Sequence, residues 1–182
     1  ALKGAGIDPR YGLVTFPGTG PTPVQIQDLV DFTTFTAVDS PFSTFTVPAG
    51  GSKEYGSLAL REALNDIDPA TTFTFRPGSQ VLTVLVTDEE DDSTAADFTA
   101  AMSAFRAQSA VFFGITLNPN LPNDVDSATN NTDARYGELA RRTGGELFDI
   151  AAFALNPQPF FESFTQSITG VLAAAGTTGI VI

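Results

Sequence analysis

The sequence predicts an α/β fold: a doubly wound, mostly parallel sheet flanked by helices, of the Rossmann-like kind. Two apolar runs, VLTVLV at 81–86 and AVFFGITL at 110–117, are too continuous for strands with one wet face. They read as strands covered on both sides. Around them lie segments of about 10–15 residues with helical apolar spacing, so strands and helices alternate along the chain. At 182 residues the chain has the size of one domain, and residues 1–182 are read as a single domain.

The elements follow in order. Ala1 to Pro9 reads as the last turn of a helix and a turn, and Tyr11 to Phe16 as a short buried strand closed by Pro17-Gly18. Val24 to Phe35 is ambiguous, with Val24, Ile26, Leu29, Val30 and Phe32 compatible with a short helix. STFTVPAGGS at 43–52 is rich in turn formers, with room for an edge strand. Glu54 to Ile67 carries Leu58, Leu60, Ala63, Leu64 and Ile67 at helical spacing, with Ser52 as candidate N-cap. FRPGSQ is a polar connection into the strand Val81–Val86. Thr94 to Gln108 is a helix with Phe98, Met102 and Phe105 on one side, and Ser93 or Asp92 is its expected cap. After the strand 110–117 comes a long polar loop. Ala134 to Thr143 is a helix stopped by Gly144-Gly145. Glu146 to Ile150 is a short strand, Phe160 to Ala173 the last helix, and GTTGIVI a closing strand.

Composition narrows the function. The net charge is −12, from 9 basic and 21 acidic residues, which repels a phosphate backbone and argues against nucleic acid as a partner. Without Cys or His there is no disulfide, no thiol or imidazole catalysis and no zinc site built on those residues. Lys3 and Lys53 are the only lysines, and no P-loop pattern occurs. No apolar run reaches the ~18 residues of a membrane span, so membrane insertion is not expected. Few lysines, many Thr, Asn and Gly and no Cys suit a secreted bacterial protein, placed extracellularly, at the cell surface or in the periplasm.

The strand 81–86 runs straight into Thr87 and five consecutive acids, Asp88 to Asp92. Such carboxylates repel unless water, a cation or a helix N-terminus relieves them. In open α/β sheets ligands sit beyond the carboxyl ends of the strands, which is where this acidic tip lies.

Several segments, in order, resemble the von Willebrand factor A domain. IDPRYGLVTF is similar to that family's second strand, PAGGSKEYGSLALREAL to its glycine-rich loop and helix, and RPGSQVLTVLVTDEEDD to the strand ending in Thr-Asp. AVFFGITL resembles the next strand and YGELARRTGGELFDI the helix, Thr-Gly-Gly stop and strand near the end. Asp-Glu after the fourth strand matches the bacterial extracellular variant. The resemblance implies a non-catalytic binding or adhesion module with a metal-ion-dependent adhesion site holding Mg²⁺ or Ca²⁺. A partner protein's acidic side chain would complete the cation's shell. It assigns Asp88 to the metal, and places Ser52 and Glu54 at the glycine-rich loop, where the family carries a Thr. The family's Asp-x-Ser-x-Ser loop has no counterpart, so the site is incomplete and the first strand of the sheet is missing from this chain. Another fragment or chain, or the carboxyl-terminal GIVI folding back, is expected to fill that slot.

Blander readings stand beside these. The alternative for Asp88 is a hydrated acidic loop that caps the following helix, and for Glu89, Glu90, Asp91 and Asp92 a solvated first helix turn. Asp124, Asp126, Asn131 and Asp133 suggest a calcium loop by composition, without its spacing, and Asn130-Asn131-Thr132 is a formal glycosylation sequon. Phe32, Phe35, Phe42 and Phe45 cover a sheet edge or form an exposed aromatic patch for a partner. Two other functions remain open. One is a Mg²⁺-dependent phosphoryl-transfer or hydrolase domain using Asp88 with Arg61, Arg76, Arg141 or Arg142. The other is a structural module that has lost its metal site.

Overall fold

A computed structural model describes residues 8–16, 23–46, 53–65, 73–117, 134–175 and 179–181. β1 (Asp8–Thr15) and β2 (Val24–Val30) form an antiparallel hairpin with Thr15 opposite Val24. The segment from Val24 is therefore a strand rather than a short helix. Val24, Ile26 and Val30 are β-branched, VQIQ alternates apolar and polar residues, and a neighbouring strand is at hand to pair. Helix begins only at α1 (Phe32–Phe35), where the Asp31 carboxylate accepts the Thr34 N–H at 2.9 Å. α2 (Pro41–Thr44) follows with Ser40 as its cap, so Ser43 and Thr44 end a helix instead of opening an edge strand.

The alternation of helix and strand then sets in. α3 (Gly56–Asn65) precedes β3 (Gln80–Val86), and α4 (Ala95–Gln108) precedes β4 (Val111–Thr116). α5 (Arg135–Thr143) leads to β5 (Leu147–Asp149) and to a short helix not expected from the sequence, α6 (Ile150–Leu155). Asp149 starts α6 by accepting the Ala151 N–H at 2.8 Å. α7 (Pro157–Ala175) and β6 (Gly179–Val181) complete the chain. α5 ends as expected, with Gly144 left-handed at φ 79°. Gly145 is required for a different reason: a Cβ there would collide with the backbone carbonyl of Phe112.

The strands make one six-stranded sheet in the order β2-β1-β6-β3-β4-β5. Every pairing except β1 with β2 is parallel. β6 occupies the central slot: Ile180 pairs with Pro9 on one side and Gln80 on the other. β6 is much shorter than its neighbours. Among the described residues, β3 beyond Val81 takes its ladder from β4 alone.

Alternation along β3 and β4 sends side chains to two cores. Val81, Leu85 and Phe112 face α3, α4 and α5, packing with Leu60, Leu64, Phe98, Phe105 and Leu139. Leu82, Val111 and Phe113 face α7, packing with Phe160, Ile168 and Leu172. The sheet is thus covered on both faces, as the continuous apolar runs required. Burying each of these large side chains stabilises the fold by about 1.5–3 kcal/mol. The parallel strands end together near Val86 and Thr116, beside the N-terminus of α3.

Candidate functional site at the carboxyl end of the sheet

Leaving β3, the chain stays in register with β4 for one more residue, since the Thr87 N–H donates to the Ile115 carbonyl at 3.1 Å. The Thr87 hydroxyl donates to the Glu54 carboxylate. A reciprocal clamp holds the two loops together: the Glu54 N–H donates to the Asp92 carboxylate at 2.9 Å, and the Asp92 N–H to the Glu54 carbonyl at 2.7 Å. Glu54 therefore sits at the end of β3, half-buried, while Asp88 and Glu89 stand exposed nearby. Burial pushes the Glu54 carboxyl up from its ordinary range. The Thr87 hydroxyl opposes this, and the negative charges of Asp88, Glu89 and Asp92 add to it.

Beneath this acidic crest lies a buried polar knot. Asp91 is 0% exposed. Its carboxylate accepts the Ser57 hydroxyl and the N–H groups of Ser57 and Ser93, each N–H at 3.1 Å. The Ser93 hydroxyl accepts the Leu58 N–H at 3.1 Å. Asp91 and Ser93 thus satisfy two of the open amides of α3, where the helix dipole favours negative charge. Arg135, the first residue of α5, closes the knot. Its Nη1 donates to the Asp91 carbonyl at 3.1 Å and to the Ser93 carbonyl, and lies 3.4 Å from the Asp91 carboxylate. The guanidinium also sits 5.7 Å from the centre of the Phe98 ring, a cation–π arrangement. Tyr136, the next residue, buries its ring against Gly56, where a Cβ would strike the phenol oxygen. Among the described residues, none hydrogen-bonds its hydroxyl. Burial first, then Asp91, Glu54 and Asp92, hold its pKa well above the ordinary tyrosine range, against the opposing pull of Arg135.

These arrangements change two expectations. The cap of α4 is Thr94, not Ser93 or Asp92: Thr94 has extended backbone, accepts the Asp97 N–H at 3.1 Å, and forms a capping box with the Asp97 side chain. That leaves Ser93 to reach back to α3 and Asp92 to Glu54 just ahead of it. Nor are the four acids after Asp88 a uniformly solvated turn: Glu89 and Glu90 are exposed, Asp92 is half-buried and Asp91 is sealed.

Of the sequence-expected metal ligands, Asp88 and Glu54 do come to the same crest. Ser52 lies outside the described residues, as do the acids of the 118–133 loop and its sequon. The donors fit a hard cation in kind, being oxygens. They fall short in number, because no group of three Asp or Glu among the described residues is arranged to hold a metal ion. The buried members, Asp91, Ser57 and Arg135, escaped sequence reading because nothing local separates Asp91 from its acidic neighbours, and Arg135 lies 44 residues further on. One signal was present. Ser93 and Thr94 stand side by side before a helix that needs only one cap, which leaves the other hydroxyl for another partner.

Compared with models of known protein families and with curated protein sequences, the chain matches none. Among the described residues, no helix is long and apolar enough to cross a membrane.

Proposed function

We propose that the chain is a von Willebrand factor A-like, non-catalytic binding module of a secreted or surface protein. It engages a protein ligand at the acidic crest through a divalent cation, Mg²⁺ or Ca²⁺. One observation carries this reading: Glu54 is held half-buried at the end of β3 by Thr87 and Asp92, with Asp88 and Glu89 exposed beside it, and burial first, then these acids, raises its pKa. A hard cation is the ligand that relieves such a cluster. In this reading Glu54 and Asp88 contribute oxygens, Ser52 adds a hydroxyl, and an acidic side chain of the partner completes the shell. Because the Asp-x-Ser-x-Ser loop has no counterpart in this sequence, in this reading the isolated chain binds cation weakly.

Titration calorimetry with Mg²⁺ and with Ca²⁺ tests this. The expected result is millimolar-range binding that Asp88→Asn and Glu54→Gln each weaken further. Tight binding by the isolated chain, or weak binding indifferent to both substitutions, overturns the assignment.

The phosphoryl-transfer reading has less support. It needs a cationic side chain beside Asp88. Arg61 pairs instead with Asp97 at 2.5 Å and Glu62 at 3.0 Å, and Arg141 and Arg142 pair with Glu138. A Mg²⁺-dependent phosphatase assay separates the two readings, with turnover lost in Asp88→Asn favouring the enzyme.

A further inference from the structure

A second surface lies at the opposite margin of the sheet from β5. α1 packs on β1, α2 packs on β2, and the two helices touch each other, yet neither buries a residue. Their rings form a continuous ladder instead. Tyr11 on β1 lies 5.7 Å from Phe32 and 5.4 Å from Phe35, and Phe35 stacks on Phe42 at 4.4 Å. Phe32 is 58% exposed and Phe42 46%, and Val38 between them is 92% exposed. Phe35 and Phe45 are half-buried, so none of the four phenylalanines of this segment enters a core. Contiguous apolar surface of this sort marks an interaction site more often than an isolated ring does.

The charges beside the ladder are mainly negative. Residues 24–46 include Asp28, Asp31 and Asp39, all exposed, and no Lys or Arg. Asp31 immediately precedes Phe32, and Asp39 lies between the two helices. The N–H of Thr34 holds the Asp31 carboxyl below its usual range, so it stays ionised into acid. Arg10, beside Tyr11 on β1, also lowers the Asp31 carboxyl by its charge and lies 3.9 Å from Asp8, so the acids here outnumber it. A second copy of the chain is a poor occupant. It would set these carboxylates against their own images and one net charge of −12 against another. Rings flanked by carboxylates match the opposite chemistry. Guanidinium and ammonium groups sit over aromatic faces and pair with acids at the rim.

We propose that this strip of rings and carboxylates on β1, β2, α1 and α2 docks a polypeptide segment bearing Arg or Lys side chains. The site is separate from the acidic crest and needs no cation.

Fluorescence anisotropy with a labelled peptide of alternating Arg and Gly tests it, with a same-length peptide of Glu and Gly as control, both in a chelator. The Arg peptide binds and the Glu peptide does not. Phe32→Ser and Phe42→Ser, both at exposed rings, each weaken binding about two- to fivefold. Asp31→Ser keeps a capping hydroxyl while removing the charge. Combined with Asp39→Asn, it weakens binding more than Glu90→Gln with Glu162→Gln, which removes equal charge elsewhere. Urea midpoints near wild type confirm that each variant is folded. Three results overturn the proposal. One is no binding of the Arg peptide. Another is equal weakening by the two charge-removal pairs, which makes the effect one of net charge. The third is a dimer in sedimentation that Phe32→Ser with Phe42→Ser dissolves, which makes the occupant a second copy.

Discussion

Replacing Asp91 by Ala should be among the most damaging single changes in the chain. The carboxylate accepts from Ser57 twice and from Ser93 once, and lies 3.4 Å from the Arg135 guanidinium. Charge-assisted hydrogen bonds are worth about 1.5–3 kcal/mol each. Simple addition overshoots, because Arg135 retains the carbonyls of Asp91 and Ser93. The better guide is the cost of breaking one partner from a buried pair, about 3–5 kcal/mol. Both side chains are sealed, at 4% exposure for Arg135 and 0% for Asp91, so solvent does not soften the loss. Against a total stability of about 5–15 kcal/mol this is a large fraction. For a chain of this size it corresponds to a melting temperature lower by about 6–20 °C. Urea unfolding followed by far-ultraviolet circular dichroism measures it, with Asp91→Ala, Arg135→Met and the double variant closing a cycle. The double variant should be less destabilised than the sum of the singles, because it leaves no charge unpaired. A loss under about 1 kcal/mol for Asp91→Ala, or strict additivity, would refute the view that this pair anchors α3, α5 and the acidic loop.

Glu54 makes a prediction about pH. Its folded pKa is raised, so the native state holds extra protons in the window above the ordinary Glu value, and stability falls as pH rises through that window. Glu54→Gln removes this penalty. It should unfold at higher urea than wild type at pH 7, with the advantage gone below about pH 4, and an advantage that grows toward acid would contradict the sign. Tyr136→Phe deletes a buried hydroxyl that no group among the described residues satisfies, and should raise stability by about 1 kcal/mol in the same assay. Gly145→Ala forces a methyl against the Phe112 carbonyl and should cost about 3 kcal/mol, separating β4 from the start of β5; a neutral outcome would mean that the α5–β5 turn yields.

Local periodicity was enough to read β3, β4, α4 and α5, because continuous apolar runs and helical spacing report burial directly. Its limits show at Val24, where helix and strand patterns coincide over a few residues and only the presence of β1 alongside selects the strand. Asp88 and Glu54 were legible as candidates, since an acidic tip after a buried strand and a glycine-rich loop before a helix are local features. Bringing Glu54 onto Thr87 took the tertiary fold, as did the sorting of five like acids into exposed, clamped and sealed positions. The sequence by itself determined the alternation, the two-sided burial of the sheet and the excess of negative charge. The tertiary structure alone decided that β6 lies between β1 and β3, that Asp91 pairs with Arg135 and that the rings of Phe32 and Phe42 stay exposed. The physical reason is range. Backbone preference and side-chain period are written within a few residues, whereas the partner of a buried charge or a central strand is chosen by packing across the whole chain.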